Sequence, residues 1–177
     1  NEQARVAAPI THQDVRELGD YVARLVSEAG ARRLLLVAGD LDPPRGPFGS
    51  ALDVLNTGLL EAGGIRGLSF AVHPEGHPLV SPQAMAQALL SKLAYAAQHD
   101  LEAELVSQFC FEAAPILDCI RDLRRRGIAA PVRIGAAAPT DPVRMMKFAL
   151  RCGIGPSLRA LEKHAARLGE MLNLAGP

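Results

Sequence analysis

The chain has 177 residues, 49% of them apolar and 21% charged, with 19 basic side chains against 19 acidic ones. That length and composition describe one globular domain with a buried core and exclude a disordered chain. A formal net charge of zero gives no electrostatic footprint for nucleic acid or an anionic membrane, and no apolar run approaches the ~18–20 residues of a membrane span.

The residues from Asn1 to Val6 lack both an initiator Met and the basic-then-apolar profile of a signal peptide, so Asn1 is not expected to be the natural start. Thr11 opens a helix with Asp14 at its third position. Its apolar stripe is Val15, Leu18, Val22, Leu25, Val26 and Ala29, a 3.6-residue period. The continuous apolar run Leu34 to Ala38 reads as a parallel strand buried on both faces, ending at Gly39-Asp40. A helix is expected from about Ser50 to Glu61. Gly67 to His73 is the next strand, followed by Pro74-Glu75-Gly76-His77-Pro78. Pro82 to about His99 is a long helix, and Glu104 to Phe109 a strand that contains Gln108. Pro115 to Arg126 is helical and Val132 to Ala137 a strand. Pro142 to Arg151 and the stripe Leu158, Leu161, Ala165, Leu168, Leu172 are the last helices.

Strand-then-helix units at intervals of roughly thirty residues mean an α/β fold with a parallel sheet. Two closures compete, a (β/α)₈ TIM barrel and an open doubly wound sheet. No G-x-G-x-x-G follows a strand and no P-loop is present, which weakens the nucleotide-binding Rossmann reading. A barrel takes ~250 residues, so residues 1–177 supply about five of its eight units. Cys110, Cys119 and Cys152 form no C-x-x-C pair and are odd in number. Free, mostly buried thiols in a reducing cytoplasm are expected.

The polar clusters all follow strands: Gly39-Asp40, His73 to Pro78, Gln108, and Thr140-Asp141. In either parallel architecture that edge carries the site. Each cluster has a plainer reading. Asp40 can be a helix cap, and Gln108 a strand residue whose amide is satisfied structurally. His73, Glu75 and His77 can form a proline-rich turn, contact a ligand, or, on an extended segment, hold a metal. Phe148 is either a core residue or a ring that stacks on a flat ligand. Lys92 is solvated by default, though its ammonium can meet a phosphate. Arg124, Arg125 and Arg126 form a solvated run at a helix C-terminus, with no function assigned.

In their order and intervals, Val37-Ala38-Gly39-Asp40 with Pro43-Pro44, Pro74-Glu75-Gly76-His77-Pro78, Ser107-Gln108-Phe109-Cys110-Phe111 and Lys147-Phe148-Ala149 resemble methylenetetrahydrofolate reductase. The resemblance runs from about Pro9 to about Leu172. Arg151 to Leu158 is similar to a bacterial branch of that family. It implies a TIM barrel holding FAD, which takes hydride from NADH or NADPH and passes it to 5,10-methylenetetrahydrofolate, giving 5-methyltetrahydrofolate. The direction can also be reversed.

By the same resemblance, Asp40 lies near the flavin ring and the pterin as the catalytic carboxylate, with Gly39 beside it. Ser50, Ala51, His73, His77 and Lys92 match FAD contacts. Gln108 matches the glutamine that hydrogen-bonds the pterin, Phe148 an aromatic that packs on folate or nicotinamide, and Arg144 a folate contact. A cytoplasmic homo-oligomer of one-carbon metabolism and methionine biosynthesis is expected, with no nucleic acid, membrane or metal.

The sequence also departs from the family. Ala38 replaces an Arg, and Leu79 a frequent acid. The Glu-Phe-Phe-Pro-Pro-type motif of the first strand, whose Glu is the general acid, is absent, as are the second and eighth strands and most of the third. The sequence is therefore expected to be a piece of a longer barrel, with Val6 to Pro9 and Leu172 to Pro177 as joins. Two alternatives stand beside this reading. One is a non-catalytic homologue that binds folate or a partner subunit. The other is a metal-dependent lyase or hydrolase using His73, Glu75 and His77.

Overall fold

A computed structural model describes residues 5–9, 15–37, 46–77 and 79–136. Along them run β1 (Arg5–Pro9), α1 (Val15–Ser27), β2 (Arg33–Val37), α2 (Ala51–Leu55), α3 (Leu59–Ala62), β3 (Gly67–Val72), α4 (Pro82–Gln98), β4 (Glu102–Ser107), α5 (Ala113–Arg125) and β5 (Val132–Arg133). The expected starts at Thr11 and Pro142, and the helix after Gly155, lie outside the described residues.

The strands form one sheet in the order β1-β2-β3-β4-β5. The β1–β2, β2–β3 and β4–β5 pairs are parallel. Neighbours in space are thus neighbours in sequence. A doubly wound sheet reverses its strand order at the point where ligands bind, and no reversal occurs among the described strands. With crossovers of one hand, a sequential order delivers the connecting helices to one face.

Burial divides the sheet accordingly. Leu34, Leu36, Leu68, Phe70, Val72 and Leu105 form a buried face. The register sets Leu34 beside Leu68 and Leu36 beside Phe70. The opposite face carries Arg33, Ser69, Glu102, Glu104 and Arg133, joined across strands. Ser69 Oγ donates to Glu104 Oε1 at 2.7 Å, and Arg133 Nε donates to Glu104 Oε2 at 2.8 Å. Arg33 Nη2 donates to Glu102 Oε2. Gly67 makes room for Arg33, since a Cβ there would lie 2.7 Å from Cζ of the guanidinium. The expectation that the Leu34–Ala38 run is buried on both faces is therefore corrected. Leu35 and Val37 are only half-buried, because their face is the one that holds charged groups.

Four element boundaries also differ. Val6–Pro9, expected to be a join, lies in β1, pairing in register from Arg5↔Arg33 to Pro9↔Val37. The single helix expected over 50–61 is two, parted at Asn56, Thr57 and Gly58. There Thr57 Oγ1 donates to Val54 O at 2.7 Å and accepts from Leu59 N–H at 3.2 Å. This hydroxyl competes with the helix for its own backbone. β4 begins two residues earlier than expected and ends at Ser107, so Gln108 lies beyond the strand. β5 is only Val132–Arg133.

Pro82 opens α4, where its missing N–H is no loss. Leu89 and Ala96, two turns apart, are its buried residues. Tyr95 Oη donates to Glu61 Oε1 at 2.5 Å, tying α4 to α3, and the His99 ring stacks on Tyr95 at 4.1 Å. Burial, and then the bond to Glu61, push the Tyr95 phenol well above its ordinary pKa. Arg125 and Arg126 pair with Asp122, while Arg124 Nη1 donates to Ile128 O at 2.5 Å. Among the described residues no helix is long and apolar enough to cross a membrane.

Backbone contacts gather in two compact units. One comprises Asn1–Val72, Gln83–Val106 and Ala130–Arg133. The other comprises His73–Pro82, Ser107–Ala129 and Ile134–Pro177.

Candidate functional site

The second unit holds the segments that follow β3, β4 and β5. After β3 the chain turns at once: Gly76 N–H donates to His73 O at 3.0 Å. The His73 and His77 rings meet edge to face, 5.2 Å apart at 89°. Leu79 N–H donates to His77 Nδ1 at 3.2 Å, which leaves the proton of the neutral ring on Nε2. His73, Glu75 and His77 are all half-buried. Because the segment is a turn, alternate side chains do not line one extended face. No group of three His, Cys, Asp or Glu among the described residues is arranged to hold a metal ion.

After β4, Gln108 is half-buried, and its Oε1 accepts from Phe109 N–H at 3.1 Å. That bond fixes which end of the amide is oxygen and turns the NH₂ group away as the donor. Phe109 is buried and packs edge to face on Phe111 at 5.7 Å. The Cys110 thiol is pushed up to about 11, by burial first, then by the Glu75 carboxylate and by Cys119. The segments after β3 and β4 belong to the same compact unit. After β5, Gly135 N–H donates to Ser107 Oγ at 3.0 Å.

At pH 8 a thiol of this kind holds about a hundredfold less thiolate than an ordinary cysteine. Cys110 should therefore alkylate about that much more slowly than a free thiol. Its rate should climb only as pH rises toward about 11. The protonated thiol is the form the fold favours, so its stabilisation is full below pH 9.0 and fades as pH rises through about 11. Peptide mapping of iodoacetamide adducts against pH measures this. Fast Cys110 labelling at pH 8 contradicts it.

The first unit holds Ser50, Ala51 and Lys92. Ser50 is the N-cap of α2: its Oγ accepts from Asp53 N–H at 3.3 Å, and Asp53 Oδ2 accepts from Ser50 N–H at 2.8 Å. Ala51 is buried at the start of that helix. Replacing Ser50 with Ala should cost about 1 kcal/mol, read as a lower urea midpoint; an unchanged midpoint contradicts the cap. Lys92 is half-buried, not solvated, with Nζ 5.8 Å from the Phe70 ring centroid. Burial lowers its pKa, and no carboxylate pairs with it among the described residues.

Gly39, Asp40, Arg144 and Phe148 lie outside the described residues. Asp53 and Gly135 are not singled out from the sequence, and Glu104 and Ser107 stand there only as strand and motif residues with no role of their own. Only Asp53 had a local signal, the Ser-x-x-Asp capping pattern from Ser50. No family model matches the sequence.

Proposed function

We propose that this chain is part of a (β/α)₈ barrel of methylenetetrahydrofolate reductase type. It reduces 5,10-methylenetetrahydrofolate to 5-methyltetrahydrofolate with NADH or NADPH through FAD. The observation that carries the reading is the in-order parallel sheet. Gly39-Asp40, His73–His77 and Gln108 follow the C-terminal ends of three successive adjacent strands, which is where a parallel barrel keeps its chemistry. The sequential strand order, with no reversal among the described strands, supports a barrel over a doubly wound sheet.

Two features, one in each compact unit, suit FAD chemically. Lys92 is a half-buried cation with no carboxylate partner among the described residues, the condition in which a diphosphate is a suitable counter-ion. His77 Nε2–H is a donor for a cofactor oxygen or nitrogen. Ser50, Ala51, His73 and Gly39 are further cofactor contacts proposed from the resemblance alone. FAD, when bound, supplies the hydride relay between the reduced nicotinamide and the folate carbon. Asp40 places negative charge beside the reacting rings. Gln108 presents its amide NH₂ to an acceptor on the pterin. Phe148 covers the flat face of folate or nicotinamide, and Arg144 holds the folate. The free thiols Cys110 and Cys119 suit a reducing cytoplasm, where a homo-oligomer is proposed.

Anaerobic half-reactions test the reading. NADH or NADPH should bleach the flavin, and methylenetetrahydrofolate should restore its colour. A protein that binds folate but neither holds nor reduces flavin is the non-catalytic homologue instead.

A further inference from the structure

Gln108 can read a ligand only if its carboxamide is held in one place, since small displacements of a recognition group are costly. Its own bond to Phe109 N–H orients the amide but does not fix where the Ser107–Phe109 backbone lies. Gly135 supplies that constraint. Its N–H donates to Ser107 Oγ at 3.0 Å, and Ser107 is only 3% exposed. A Cβ on Gly135 would stand 2.2 Å from Ser107 O and 3.3 Å from Phe109 N. These are backbone atoms on either side of Gln108, and they cannot swing aside as a flexible side chain does. Phe109 N–H is also the group that holds Gln108 Oε1, so any shift it makes is passed to the amide.

We propose that Gly135 and Ser107 are positioning residues for Gln108: Gly135 by close backbone approach, Ser107 by accepting the Gly135 N–H. Neither need touch the ligand. The inference rests on the folate reading above and deepens it, since it says what sets the geometry of pterin recognition.

The test uses the full-length protein, wild type and with Gly135→Ala, Ser107→Ala or Ser107→Thr. The readouts are the calorimetric Kd for 5-methyltetrahydrofolate, the visible flavin spectrum and the rate of flavin reduction by NADH or NADPH. Gly135→Ala should weaken folate binding roughly ten- to a hundredfold, with flavin spectrum and reduction rate unchanged. Ser107→Ala should weaken it several-fold, and Ser107→Thr, which keeps the oxygen, should restore it. A folate Kd within about twofold of wild type in Gly135→Ala overturns the proposal. Parallel loss of flavin, nicotinamide and folate binding also overturns it. If Gly135→Ala does not fold, a wild-type Kd in Ser107→Ala overturns it alone. A wild-type protein that binds no folate fails differently: the folate reading itself then falls, and the proposal with it.

Discussion

Gln108→Ala should lose folate affinity by roughly 10- to 100-fold while retaining flavin and its reduction by NADH or NADPH. The carboxamide oxygen is taken up by Phe109 N–H at 3.1 Å, so the NH₂ group is the part offered to a ligand. Truncation removes that donor and leaves a ligand acceptor unpaired in a partly desolvated place, a loss larger than that of an exposed hydrogen bond. The readout is the separation of two half-reactions. Folate-dependent reoxidation should fail at low folate and recover at high folate, whereas the nicotinamide step stays at the wild-type rate. Unchanged folate kinetics would mean that the Gln108 amide serves only its own backbone.

The second large effect concerns the fold. Glu104→Ala should destabilise the protein by about 2–3 kcal/mol, seen as a lower urea midpoint. Glu104 is 4% exposed and accepts from Ser69 Oγ and Arg133 Nε. Removing it strands the hydroxyl of Ser69, which is fully buried. Arg133 is half exposed and can turn to water, which keeps the cost below that of a fully buried pair. Glu104→Gln retains an acceptor for Ser69 and should cost about half as much. A Glu104→Ala protein with the wild-type midpoint would show that the charged face contributes nothing to stability.

The strands β2, β3 and β4 were legible because short apolar runs are bounded by glycine or charge. Their ends were not. β4 takes in Glu102, whose bond to Arg33 crosses the sheet and leaves no local trace. β1 escaped notice because Val6, Ala7 and Ala8, a short and weakly apolar run between Arg5 and Pro9, become a strand only by pairing with β2. The break between α2 and α3 was visible as Thr57-Gly58, but the apolar stripe ran past it. At the candidate site the His73–His77 turn was readable from its prolines and glycine. The burial of Glu104 was not, because its partners come from β3 and β5, each about thirty residues away. Gly135 is similar: nothing around it in sequence says that the backbone beside Gln108 will fill the space of its missing side chain.

The visible absorption spectrum of the freshly purified protein, with any released cofactor identified by chromatography, tests the central claim most directly. A yellow protein that releases FAD is expected. A colourless protein that stays colourless when FAD is added contradicts it.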